Sequence, residues 1–511
     1  MEKRPSFLTQ ILKYLVLLAV SAAFMGVCSL STTPLLCYSV GQDAAFFQLV
    51  GQGMTRGMLP YRDFFDMKGP YLFLLQYLGQ CIAWGRLGAF VVQCGCFFVT
   101  LVFSVKILEQ AAPLRQLKLV WSLLLLIPAA LVMSYTMTGG NLTEELSLPV
   151  LMPCLYLCLR YLSRSQIPSP ENQDHSLWAG FYYGIAFGCM CMIRITNASL
   201  IGAILLTITV NLLLWHRWKN LLGNALCFLL GVLAGVLPGI GWAAANGILP
   251  EMLDQVFLFG FRYSGELGFF EKLTNLGDYI WPCLFAPLLP VAVLAVYRVR
   301  DWKYWLLAVS SFLTLLTAVV MGNLYCHYFV LGIPNVVLAS WLLVRFSGAG
   351  TAAPRTRRLR AALVVLLTAA SFAVQWPILR VRGLEEISYG IHCMRSGEED
   401  RQEYDAVMDI VAHIPEESRG SVYVYGLTSC SAWYLQAGLL PPQKYCDWQA
   451  HYIQLVPQIG QVLTDWLEAG GAQWVVVPAG QQLQPEQIAQ TLQQFYVPEY
   501  ENDRYILLRA K

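Results

Sequence analysis

Apolar stretches long enough to cross a bilayer as a helix, about 20 residues each, recur along most of the chain with short polar loops between them. They predict spans near 11–30, 86–107, 118–134, 146–162, 177–193, 197–215, 221–244, 279–297, 304–321, 324–345 and 361–379, about eleven in all. The apolar segment 69–84 is shorter and reads as a helix leading back into the membrane. Near Arg382 the pattern changes. A polar helical stretch at 398–414 is followed by strand-like runs at 421–425, 474–478 and 504–509, with helical stretches at 453–469 and 485–495 between them. Strands alternating with helices predict a small α/β domain of roughly 120 residues. The predicted fold class is an α-helical polytopic membrane protein, residues 1–382, carrying a small external C-terminal α/β domain, residues 383–511.

Composition agrees, since 57% hydrophobic and 13% charged residues over 511 positions exclude a string of soluble domains. The first apolar stretch is too long for a removed signal peptide and reads as an anchor that stays. Basic residues set the orientation. Lys3, Arg4, Lys106, Arg115, Arg160, Arg164, Arg217, Arg298 and Arg300 fall in alternate loops, which puts the N-terminus in the cytoplasm and the C-terminal domain outside. A net charge of +2 with no basic stripe gives no sign of nucleic acid as a partner. Most of the fifteen cysteines lie within apolar spans as small hydrophobes. No CxxC pair or Cys/His spacing points to zinc; Cys393, Cys430 and Cys446 leave room for one disulfide in the external domain. That domain has no Gly-rich phosphate loop and no nucleophile elbow, so its expected role is to bind an acceptor or cover a membrane site. A chain ending near Arg382 is then expected to keep donor binding.

Polar chemistry gathers in one place, the run GQDAAFFQLVGQGMTRGMLPYRDFFDMKGP at 41–70. Ionisable groups at a bilayer edge are costly unless paired, solvated or used. Asp43 opens an amphipathic helix over 43–56, where it is either an N-cap or a carboxylate facing a cavity as a base or metal ligand. Asp63 and Asp66 either share a helical face or solvate a turn after Pro60. Lys68 and Arg62 either snorkel or pair with a phosphate. Arg194 and Asn197, at a junction between spans, read as a structural turn with Arg194 snorkelling ahead of donor binding, and Arg262 in the loop 245–278 either reaches over the cavity or is a solvated loop residue.

The run G-x-x-P-Y-R-D-F-x-D-x-K-x-P after the first span, with Asp43 upstream, resembles the first external loop of GT-C-fold glycosyltransferases, in the bacterial branch related to protein O-mannosyltransferases and aminoarabinose transferases. Gly139-Gly140-Asn141-Leu142-Thr143-Glu144-Glu145 is similar to a second-loop motif of that branch, and Tyr325-Cys326-His327-Tyr328 to a motif entering a late span. The resemblance implies transfer of a sugar from a polyprenyl-phosphate carrier to a cell-envelope acceptor on the outer face of the cell membrane. By position it implies Asp43, Glu144 and Glu145 as catalytic carboxylates and Lys68, Arg62 and His327 as contacts to the donor phosphate. It also admits a divalent cation, Mg²⁺ or Mn²⁺. Met67 stands where relatives often carry a ligand, and a thioether suits these ions poorly, so Asp66 is the candidate metal residue. Two other readings stand beside this one: a lipid or polysaccharide transporter without covalent chemistry, and an inactive scaffold. The spans hold almost no acidic residues, which disfavours a transport pathway.

Overall fold

The computed structural model describes residues 7–111, 117–167, 169–264, 268–274, 277, 280–321, 324–347 and 353–511. Lys3, Arg4 and Arg115, on which the expected orientation partly rests, lie outside the described residues, as do 265–267, 275–276 and 278 of the loop 245–278 and position 279 of an expected span. The protein is a polytopic helical membrane protein with a small C-terminal sheet. Among the described residues seven helices are long and apolar enough to cross a membrane, from Phe7–Cys28 to Cys326–Ser347, and two bent pairs raise the number to nine. The pairs are Leu119–Leu125 with Ile127–Thr136, bent by 46°, and Arg355–Val374 with Trp376–Ser396, bent by 61°. Pro128 and Pro377 sit at the two bends, where proline removes a helical hydrogen bond.

The other two expected spans fold as shorter pieces. In 279–297, Pro282, Pro287 and Pro290 leave a 3₁₀ turn, Trp281–Leu284, and a helix of 9 residues, Leu289–Tyr297. The stretch 177–193 is a helix of 15 residues, Leu177–Cys191. It lies against Trp218–Ala245 along a line of small residues. A Cβ on Gly184 would stand 2.0 Å from the Phe228 carbonyl oxygen, and one on Gly231 2.1 Å from that of Phe181. Helices in lipid associate by such close backbone approach.

The C-terminal sheet has the order β1-β2-β4-β3, with β1 Val422–Val424, β2 Trp474–Pro478, β3 Tyr496–Glu501 and β4 Tyr505–Ala510. β1 runs parallel to β2, while β4 is antiparallel to both β2 and β3. Three of the four strands coincide with the strand-like runs read in the sequence; β3 does not. The expected helix 453–469 is two helices, Gln449–Leu455 and Gln458–Glu468, parted at Pro457. All three cysteines at 393, 430 and 446 are free thiols, so the disulfide left open by the sequence is not formed.

No linker separates the two expected domains. Position 382 falls inside a π-helical turn, Leu379–Glu385, within the continuous helical segment Trp376–Ser396. One hydrophobic core then joins the first loop to the sheet: Phe46, Phe47, Phe64 and Phe73 pack in the same cluster as Val407, Ile410, Trp433 and Trp474. Phe65 adds a second junction, with ring centroids 5.0 Å from Tyr445 and from Tyr452.

Candidate functional site

The run 41–70 is folded back on itself by its own polar groups. Asp63 is not beside Asp66 on a helix; its Oδ2 accepts from the Leu59 amide at 2.7 Å and closes the turn. Tyr61 takes φ 71, rare for a bulky residue. It is held there because its amide donates to the Phe64 carbonyl at 2.8 Å and its hydroxyl to the Lys68 carbonyl at 2.8 Å. Gln255 ties this loop to the segment after the seventh expected span, donating to the Tyr61 carbonyl and accepting from the Asp66 amide. Asp43 is not an N-cap. Gly41 occupies that position of the helix Gln42–Thr55, and Asp43 stands in the first turn. The favourable field of a helix N-terminus for a carboxylate still acts on it.

Gly69 decides what Lys68 meets. The Gly69 and Tyr71 amides donate to the carbonyls of Ile193 and Met192 at 2.8 and 2.9 Å, and a Cβ on Gly69 would lie 2.3 Å from the Met192 carbonyl carbon. Only glycine lets the chain approach so closely. Lys68 and Arg194 thereby line the same cavity. The sequence reading of Arg194 as a snorkelling structural residue is corrected. Its guanidinium donates to Glu144 Oε1 at 2.7 Å and lies over the Tyr328 ring at 4.1 Å.

The cavity has a volume of about 520 Å³, within the range of roughly 300–1,000 Å³ usual for small-molecule sites. Asp43, Asp66, Lys68, Arg194 and His327 line it, and Phe257, Phe261 and Met321 add an apolar side. Asp66 is almost fully buried and bonds Lys68 twice, accepting its amide at 2.9 Å and lying 3.4 Å from Nζ. Burial opposes the charge on Lys68, but Asp66 and Asp43 outweigh it and hold the ammonium above the usual lysine range. Burial also pushes the Asp66 carboxyl up, with Lys68 pulling it back. Asp43 makes no side-chain hydrogen bond or ion pair among the described residues, which leaves its carboxylate open to a ligand.

The remaining candidates lie elsewhere. Glu144 reaches the cavity only through Arg194. Glu145 is buried behind it, where Oε1 accepts from the Asn141 amide at 2.6 Å and from Gln93 at 2.5 Å. It anchors the turn Thr138, Gly139, Gly140 and Asn141, all four at positive φ, whose Thr138 and Gly140 form part of the cavity wall. Arg62 is outside the cavity; its Nη2 donates to the Gly247 carbonyl at 2.6 Å. Arg262 is exposed and does not line it, whereas its neighbour Tyr263 does. Trp448, His451 and Tyr452 line it too, from the segment before the second strand, and the sequence reading missed them. Their signal was the aromatic density of Tyr445-Cys446-Asp447-Trp448-Gln449-Ala450-His451-Tyr452 in a stretch without strand alternation.

Among the described residues no three His, Cys, Asp or Glu side chains converge as ligands. Asp66, the candidate metal residue, is already engaged by Lys68. What the cavity offers is three cations, Lys68, Arg194 and Arg382, and the open carboxylate of Asp43 against an apolar wall.

No family model matches the sequence, and no curated protein matches it. Among solved structures the chain is similar to ArnT from Cupriavidus metallidurans bound to undecaprenyl phosphate, with a TM-score of 0.56 and 14% identity over 97% of each chain. It is similar to the same protein in the apo state, with a TM-score of 0.54 and 13% identity over 98% of each chain. At this identity the likeness gives the fold, which is the GT-C type that the sequence motifs resemble.

Proposed function

We propose that this protein is a membrane glycosyltransferase that moves a sugar from a polyprenyl-phosphate carrier to a cell-envelope acceptor at the outer face of the membrane. The observation that carries the reading is the open carboxylate of Asp43 in one cavity with Lys68 and Arg194, in a fold whose solved relative was crystallised with undecaprenyl phosphate. The excess of basic residues in alternate loops supports a cytoplasmic N-terminus and an external cavity.

The chemistry follows from charge. An acceptor hydroxyl attacks the anomeric carbon and its proton passes to the Asp43 carboxylate. The bond from that carbon to the phosphate oxygen breaks, and the electron pair leaves with the polyprenyl phosphate. Negative charge grows on the phosphate oxygen as the bond lengthens, so cations fixed beside it lower the barrier. Lys68 is held in place by Asp66, and Arg194 by Glu144 and the Tyr328 ring. The balance of charge favours this over neutralised ion pairs, because a phosphate brings the anion that each cation can share. Phe257, Phe261 and Met321 give the polyprenyl chain an apolar entry.

Mass spectrometry of cell-envelope glycans from cells with and without the gene tests the reading. A glycan lost with the gene and restored by it is the expected result. An unchanged glycan profile, together with altered movement of lipid-linked sugar across the membrane, would replace it with transport.

A further inference from the structure

Trp448 has φ 52, a left-handed backbone that a bulky residue seldom adopts. Such a conformation persists only where its surroundings over-determine it, and it concentrates at binding sites. Here the neighbours on both sides are pinned. Buried Asp447 accepts from the amides of Trp448 and Cys430 at 3.0 and 3.2 Å. Buried Gln449 donates to the Val424 carbonyl at 2.9 Å. Trp448 packs against the cluster of Tyr423, Tyr425 and Val475 on the sheet and at the same time lines the cavity.

His451 continues the wall. Its ring centroid is 5.4 Å from that of Tyr263, edge to face, and 6.3 Å from that of Trp448. Its Nε2 is shielded from solvent and has no hydrogen-bond partner among the described residues, a costly state for a buried polar atom unless a ligand completes it. Tyr263, Trp448, His451 and Tyr452 line the same cavity as Lys68, Asp66 and Asp43.

We infer that Trp448, His451 and Tyr263 form the subsite for the donor's sugar ring, and that the ring is uncharged. This rests on the proposed function: a phosphate at Lys68 and Arg194 places the sugar, one bond away, against this wall. Aromatic faces suit the C–H face of a sugar through dispersion and area burial. The imidazole Nε2 supplies one polar partner for a hydroxyl. The three residues bring no carboxylate or guanidinium with which to pair a charged sugar. The C-terminal segment therefore selects the donor, a role distinct from covering the site or binding the acceptor.

The test uses the full chain purified in detergent, with bare undecaprenyl phosphate and undecaprenyl phosphates bearing glucose, galactose, mannose or glucuronic acid. At least one neutral hexose is expected to bind about five- to tenfold more tightly than the bare carrier. Trp448→Gly, which relieves the left-handed backbone while removing the indole, is expected to erase that gain and leave bare-carrier affinity within about twofold. Trp448→Phe should restore part of it. His451→Phe, which keeps a ring but loses Nε2, should also reduce the gain and serves if Trp448→Gly does not fold. Failure of bare undecaprenyl phosphate to bind would count against the proposed function itself. Binding of the bare carrier with no gain from any neutral hexose, a gain confined to glucuronic acid, or a gain that survives both Trp448→Gly and His451→Phe would overturn the subsite.

Discussion

Gly69 shows how one residue without a side chain can set the chemistry of its neighbours. The hydrogen bond from its amide to the Ile193 carbonyl and its contact with the Met192 backbone bring Lys68 into the cavity that Arg194 lines. A methyl group there must push the two segments apart. Gly69→Ala is expected to weaken undecaprenyl phosphate binding about tenfold or more, measured by titration of the purified protein. Gly95→Ala is the control, because no atom lies within 4 Å of a Cβ at that helical position, where alanine is the better helix former. Equal affinity in both variants would show that the close approach does not position Lys68. That Asp43 and Lys68 belong to one polar cluster was legible in the sequence because charges crowded into a poor background of charge stand out. Arg194 was not, since its partner Glu144 is far away in the chain and nothing local distinguishes a paired arginine from a snorkelling one.

At the scale of elements, the helix that carries Asp43 is steered from the other end of the chain. Glu399 accepts from the amides of Cys37, Tyr38 and Ser39 at 2.6, 2.6 and 2.8 Å, just before that helix begins. Arg86 donates to the carbonyls of Ser39 and Leu30 at 2.5 and 2.7 Å and fixes the same loop from below. Hydrogen bonds to a charged group contribute about 1.5–3 kcal/mol, so losing the carboxylate frees the loop without unfolding the sheet. Glu399→Ala should speed amide hydrogen exchange at 37–39 and lower transfer several-fold, with exchange in β2 and β4 unchanged. Unaltered exchange at 37–39 would remove Glu399 from this role. Short runs of β-branched, aromatic and aliphatic residues made β1, β2 and β4 readable, but β3 carries Pro498 beside a register shift against β4. Proline is tolerated at edges and bulges and argues against a strand when read alone, which is why Tyr496–Glu501 was missed.

Over the whole molecule, the motifs and hydropathy gave the helical membrane fold, whereas the union of its two ends was not visible. Two segments that share a core need no local signature, because each supplies only half of an apolar surface. Phe46, Phe47 and Phe64 on one side and Val407, Trp433 and Trp474 on the other meet only in the folded chain. A chain ending near Arg382 would therefore expose these faces and cut the helical segment Trp376–Ser396. It is expected to aggregate or to lose undecaprenyl phosphate binding, in contrast to the independent domains that the sequence pattern implied; a soluble truncated protein with full affinity would restore that division.

The open carboxylate of Asp43 is the centre of the proposed chemistry, and Asp43→Asn isolates it. Because Asp43 caps no helix, the amide should leave the fold intact, at most losing about 0.3–1 kcal/mol from the helix N-terminal field. General-base catalysis contributes about 10²–10⁴-fold, far more than that change can account for. The measurement is envelope-glycan mass spectrometry on gene-deleted cells supplied with either the wild-type or the Asp43→Asn protein, with undecaprenyl phosphate binding measured on each purified chain. A variant that is folded, binds the carrier as the wild type does and fails to restore the glycan is the predicted result. A variant that restores the glycan to within a few-fold of wild type would contradict it and take Asp43 out of the mechanism.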